Sequence, residues 1–420
     1  MSCAPSWRVR QASTVALLVA LVLTGCGGGD EGGVPTLKFY VFKEPGGAFA
    51  QAAARCSESA GGRYRIEMAD LPPSADQQRE QLVRRLAARD SDIDIMGMDV
   101  IWTAEFAGAG WLLPWEEQAA EAVRQGTIPA TVSTGTYEGR LWAAPYTTNT
   151  QLLWYRKDRV PQPPATWDEM LSMAERIGPQ EGRIQVQGNR YEGLTVWFNS
   201  LLASAGAEIL DGPDQVALPP GPTTKALDVM KRVASSPVAD PGLSTAQEDD
   251  ARLAFEAGGS AFMVNYTFVW PSAQENAPQV AANMGWARWP RVDPTVPSHV
   301  TIGGINLGIG AYSDHPDLAF EAATCLRSPE NQVIASELGG LPPTTQALYD
   351  DPRVREAFPF ADTLRDTLLD ATPRPATPAY NDVSLAIQRT LHPSRSIQPV
   401  ADAKELRSRI ARALKSGGLL

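Results

Sequence analysis

Thr36-Leu-Lys-Phe-Tyr-Val-Phe42, Arg65-Ile-Glu-Met68 and Asp92-Ile-Asp-Ile-Met-Gly-Met98 are three β-rich runs separated by stretches of helical spacing. After the first run, a Gly-containing turn leads into a helix expected over residues 48–57. Before the third, residues 76–89 set Leu82, Val83 and Leu86 on one face and charges on the other. Strands alternating with helices of this length predict parallel βαβ units, and so an α/β fold. Asp99 directly follows the third strand, where open α/β sheets place their ligands.

The pattern continues downstream. Residues 140–144 and 151–155 read as strands on either side of residues 145–150. Thr166-Trp-Asp-Glu169 has capping-box spacing and predicts a helix running to Ile177. Further helices are expected over 197–205 and 251–257, the latter stopped by Gly258-Gly259. Residues 261–264 read as a buried strand and 300–309 as a β-rich, Gly-containing segment. A helix opened by Pro316 carries Cys325, and helices over 380–391 and 401–414 complete the chain. About 390 residues are more than one hydrophobic core usually supports, so two lobes are expected.

Upstream, Arg8 and Arg10 precede a short apolar run, residues 15–23, that ends in Leu23-Thr24-Gly25-Cys26. A membrane span needs roughly 20 apolar residues, so this is a secretory signal. Its ending resembles the bacterial lipobox, which implies a lipid on Cys26 and an anchor on the outer face of the cell membrane. Residues 1–25 are then the signal peptide and 26–34 the lipidated Cys with a Gly-rich, flexible tether. Cys56 and Cys325 remain for an oxidising exterior. One disulfide between them is the economical reading, and two separate buried thiols are the alternative.

Composition excludes more than it selects. The chain has 37 basic and 48 acidic residues, a formal charge of −11 that becomes −13 without the two signal arginines. That balance argues against nucleic acid and against a basic membrane-docking face. Only 7 of the basic residues are Lys, as in proteins from GC-rich genomes. His299, His315 and His392 stand alone, so no metal site is expected. No Gly-x-Ser-x-Gly elbow, dinucleotide fingerprint or phosphate loop occurs, and no cofactor is expected. A glycosidase leaves no short signature, so a lipid-anchored glycoside hydrolase stays open as an alternative.

Several runs carry a family resemblance: Asp99-Val-Ile-Trp-Thr-Ala-Glu-Phe-Ala107, Ala144-Pro-Tyr-Thr-Thr-Asn-Thr-Gln-Leu-Leu-Trp-Tyr155, Ala251-Arg-Leu-Ala-Phe-Glu256, Thr301-Ile-Gly-Gly-Ile-Asn306 and Arg374-Pro-Ala-Thr-Pro378. With the lipobox, they resemble the solute-binding lipoproteins of sugar ABC importers, and within these the LpqY-type trehalose-binding lipoproteins of actinobacteria. The resemblance implies a two-lobed α/β fold of the periplasmic-binding-protein, maltose-binding type, with three interlobe crossings and a ligand cleft between the lobes. Crossings are expected near residues 146–151, 286–291 and 341–343. They give a first lobe of 35–147 with 289–341 and a second of 148–288 with 342–420. The implied function is that of a monomeric, non-catalytic receptor. It would trap a disaccharide, trehalose in the first place and maltose or another oligosaccharide as the alternative. Its partners would be the importer's permease subunits and the membrane, through Cys26. Within this frame Cys56 and Cys325 fall in one lobe.

The ligand set follows from the same resemblance, and each member has a chemical rationale. Asp99 and Glu248 accept two sugar hydroxyls at once, while Asn149 both donates and accepts. Arg374 matches the arginine that closes over the sugar and brings five fixed donors. Gly304, with Gly303, would let backbone amides approach a ligand closely. Tyr266 would cover the C–H face of a pyranose, although mycobacterial LpqY-type proteins carry Trp there and a long insertion before Thr301. Glu44, in the turn after the first strand, completes the set. Read without the resemblance, these residues are a helix cap, a turn Asn, a solvated acidic run, a surface Arg and a β-bulge.

Overall fold

The computed structural model describes residues 33–416. Cys3, Cys26, the signal segment and most of the expected tether lie outside the described residues, so the lipid anchor does too. Labels below are given to the elements that position the site.

The first sheet contains β1 (Thr36–Phe42), β2 (Arg65–Leu71), β3 (Ile95–Asp99), β4 (Leu112–Leu113), β5 (Ala143–Asn149) and, from far along the chain, β10 (Gly303–Gly310). Its order is β2-β1-β3-β10-β4, with β5 also on β10. Pairing of β1 with β2 and β3 is parallel, as βαβ units through α1 (Ala48–Ser59) and α2 (Ala75–Ala87) require. The late strand β10 is antiparallel to β3, β4 and β5, which makes the sheet mixed. Alternation along β1 explains the burial of both faces. Leu37, Phe39 and Val41 pack under Phe49 and Ala52 of α1, whereas Tyr40 points into a second cluster with Leu82, Leu86, Met96 and Met98.

The second sheet holds β6 (Leu152–Arg156), β7 (Arg183–Gln185), β8 (Ser260–Asn265) and β9 (Met284–Ala287), in the order β9-β6-β8-β7. Every residue of β8 is buried, as befits an inner strand covered on both faces. One face is covered by α3 (Trp167–Ile177), α4 (Glu192–Ser204), α5 (Pro220–Ser235) and the late helices α8 (Tyr380–Leu391) and α9 (Pro399–Ser416). Thr166 caps α3 as its spacing predicts, accepting the Glu169 amide at 3.1 Å. By contrast, α4 starts five residues before the expected position. It is buried nearly all round, so no polar stripe marks its period, and Gly193 masks its first turn. The remaining two helices used here are α6 (Glu248–Glu256), beside β8, and α7 (Pro316–Leu326), on the first sheet.

Three passages between the sheets lie side by side. The chain leaves β5 at Asn149 and enters β6 at Leu152. Gly303 pairs with Asn149, and Gly304 with Thr148, as β10 arrives. On the other side, the Thr148 amide donates to Pro342 at 2.9 Å and Thr147 bridges to Pro343. The middle passage comes later than residues 286–291. Trp289 packs in the second core, and Arg291 exchanges backbone hydrogen bonds with Ala165 and Trp167 of the second lobe.

Cys56 of α1 and Cys325 of α7 form a disulfide, with their Cα atoms 5.8 Å apart across 269 residues of sequence. It staples two helices of one lobe, both packed on the first sheet. The double substitution Cys56→Ser with Cys325→Ser should destabilise that lobe by about 2–5 kcal/mol. Scanning calorimetry should show one transition moved down in temperature. Unchanged transitions would show that packing alone holds the two helices.

Candidate functional site

The end of β3 presents Asp99, whose Oδ1 accepts the Ile101 amide at 3.1 Å and so caps the short turn Val100–Trp102. The same oxygen takes Arg374 Nη2 at 3.3 Å. Oδ2 has no protein donor among the described residues. The cap and the site are therefore one residue doing two things.

Arg374 stands in a Pro-rich segment pinned to the middle passage. Thr372 exchanges backbone hydrogen bonds with Val300 and Ile302, both at 2.9 Å. Its guanidinium, only 6% exposed, reaches Asp99 of the first lobe and Glu192 of the second, the latter through Nη1 at 2.9 Å. Burial works against its charge, but Asp99, Tyr380 and Glu192 outweigh burial and hold its proton more tightly than usual. Nε is buried without a partner. Glu192 opens α4, where a carboxylate is favoured by the helix dipole. It is fixed from α8 by the Tyr380 hydroxyl and by Ser384 Oγ at 2.6 Å.

The acidic run at the start of α6 divides its labour. Asp250 and Gln247 form a capping box, and Asp249 pairs with Arg252 at 3.0 Å. Glu248 is left to line a cavity with Tyr191 and Tyr266. Asn265, wholly buried at the end of β8, sets this arrangement. Its Nδ2 donates to the Glu248 carbonyl at 2.9 Å and its Oδ1 accepts the Tyr266 amide at 2.9 Å. Burial pushes the Glu248 carboxyl up. The Glu248 backbone amide and then the nearby Tyr191 hydroxyl partly oppose this, and Asp249 and Asp250 reinforce it. The Tyr266 phenol is raised by burial first and then by Glu248.

Gly304 sits at φ +136°, and a Cβ there would lie 2.2 Å from the Thr147 carbonyl oxygen. At Gly303 a Cβ would lie 2.2 Å from Asn149 Oδ1. The close approach of β5 and β10 thus demands both glycines.

Asp99, Asn149, Glu248, Tyr266, Gly304 and Arg374 line one cavity of about 310 Å³ between the two sheets. Glu44 does not. It is buried beneath α1, where its carboxylate accepts the Ala48 amide at 2.7 Å and the Gly46 amide, so it is a helix cap and not a contact candidate. The residues outside the expected set that line the cavity include Phe42, Gln78, Tyr191 and Glu192. Only Glu192 left a trace in sequence, as an acidic residue just before an apolar run. A larger cleft, about 580 Å³, lies beyond residues 372–376 and shares Arg374. Its wall mixes Val100, Ile101, Val132, Ile209 and several prolines with Thr, Ser and Tyr hydroxyls and two carboxylates, Glu138 and Glu208. Among the described residues no cluster of His, Cys, Asp and Glu could hold a metal.

The family of bacterial extracellular solute-binding proteins matches residues 66–333. Among relatives, the chain is similar to a probable ABC transporter-binding protein of Deinococcus radiodurans, 28% identical over 368 residues, 83% of this chain and 86% of that one. It is also 26% identical to the mannitol-binding protein of Pseudomonas aeruginosa over 321 residues, 71% of each. Maltose-bound T. maritima MalE3 matches with a TM-score of 0.77 at 30% identity, covering 92% of this chain and 100% of that one. The sugar-binding protein MalE from Xanthomonas citri matches in fold, with a TM-score of 0.78 at 20% identity over 91% and 98% of the two chains. The fold is the α/β periplasmic-binding-protein fold of maltose-binding type, with the two mixed sheets as its lobes.

The raised Glu248 carboxyl has a consequence for stability. A carboxyl whose folded value exceeds its ordinary 4.5 favours the fold below that value, and the gain is lost as pH rises through the folded value. Glu248→Gln should therefore be more stable than the parent near neutral pH. Its advantage should vanish as pH falls below about 4, as read by urea midpoints across the range. A constant difference at all pH values would refute the burial argument.

Proposed function

Since the chain belongs to the bacterial extracellular solute-binding protein family, we propose that it captures a di- or oligosaccharide by lobe closure and delivers it to a sugar ABC importer. As a member of that family it is a binding component of transport, not an enzyme. The observation that carries the proposal is Arg374, held between Asp99 of one lobe and Glu192 of the other at the edge of a polar interlobe cavity. The free Asp99 Oδ2, Glu248, Asn149 and the unpaired Arg374 Nε are the groups a hydroxylated ligand needs, and Tyr266 supplies an apolar ring surface. A ligand that touches both lobes favours the closed form by its differential affinity.

The likeness to maltose-bound MalE3 supports a maltose-type glucan ahead of trehalose, and Tyr266 in place of the LpqY-type Trp points the same way. The packing of Trp289 supports a lobe boundary near residue 302: 35–147 with 303–341 for the first lobe, and 148–302 with 342–416 for the second. A lipid on Cys26 would hold the receptor at the outer membrane face, near the permease. Among the described residues no helix is long and apolar enough to cross a membrane.

Calorimetry with maltose, maltotriose, trehalose, sucrose and mannitol, followed by product analysis, tests this reading. At least one glucan should bind and be recovered intact. Asp99→Ala should weaken that binding at least tenfold, about 1.4 kcal/mol. Recovery of free glucose, or an Asp99→Ala affinity equal to the parent's, would sink the proposal.

A further inference from the structure

Three carboxylates and one guanidinium line the small cavity, leaving two negative charges in excess. Asp99 and Glu192 share that guanidinium. Glu248 makes no ion pair among the described residues, and the one guanidinium that lines the cavity is taken by those other two carboxylates. Tyr191 and Tyr266 line the cavity with it. Asp249 is occupied by Arg252 and Asp250 by the helix cap, so neither of them needs a countercharge from a ligand.

Closing the lobes withdraws this pocket further from water. An unpaired carboxylate resists that step far more than a paired one. A neutral sugar supplies hydroxyl donors but no countercharge. Resting on the reading of this cavity as a saccharide site, we infer that the preferred ligand is an amino sugar whose protonated amine is seated against Glu248. Tyr191 and Tyr266 suit the same group, because an ammonium is attracted to an aromatic ring while the adjoining C–H surface packs on it. The acidic chain, at −11, draws cationic ligands toward its surface and disfavours anionic ones. A phosphorylated or carboxylated sugar would add to the excess instead of cancelling it.

The test is calorimetry of the purified protein, near neutral pH and low salt, with maltose, trehalose and the mono-amino derivatives of each. Every amine is paired with its N-acetyl counterpart, which keeps the shape and removes the charge. At least one amine should bind at least tenfold tighter than its parent sugar, and acetylation should abolish the gain. In Glu248→Gln the ratio of amine to parent affinity should fall to near one, while in Asp99→Asn the preference should persist. If parent sugars bind and no amine gains, the amino-sugar inference is overturned and the saccharide reading stands. If neither parents nor amines bind, the saccharide reading itself has failed.

Discussion

The architecture rests on a single close approach. Residues 147–150, 301–304 and 342–344 pass between the sheets in one narrow strip, and their backbone groups pair with one another instead of with water. Thr148 Oγ1 donates to the Gly303 carbonyl at 3.0 Å and Thr150 Oγ1 to that of Thr301 at 3.3 Å. Asn199 of α4 ties Thr301 to Pro373 from the second-lobe side. Any side chain at Gly304 would spread this strip and move both walls of the cavity.

Electrostatics then shapes what the strip supports. A buried guanidinium is tolerable because two carboxylates and a phenol surround it, and those carboxylates come from opposite lobes. Their separation depends on the angle between the lobes. The charged edge of the cavity is therefore sensitive to closure. Asn265 does comparable work without charge, fixing the end of β8 to the start of α6 so that Glu248 and Tyr266 share one pocket.

Much of this could be read from residues in order. The β-rich runs located β1 and β3, the Thr166 capping box located α3, and the strand-end position of Asp99 pointed to the cavity it lines. The failures have physical causes. The partners of β10 lie some 200 residues away, so nothing local announces that it enters the first sheet antiparallel. Glu192 and Tyr191 stand at the start of a helix without a polar stripe, in a stretch that reads as loop. Glu44 carries the same carboxylate as Asp99, and only the proximity of the α1 amides decides that it caps a helix. Trp289 shows the same limit for the crossings, since packing partners and not composition hold it with the second lobe.

The place of β10 also bears on how the chain is made. The second sheet is complete by Ala287, but the first has a gap at its centre until residues 303–310 exist. During synthesis β3 and β5, though early, flank an empty strand position. The first sheet is thus the later of the two to close, and the thiol at Cys56 stays unpaired until Cys325 emerges. A chain stalled between these two points would have one complete sheet still lacking its late covering helices, one open sheet and a lone sulfur.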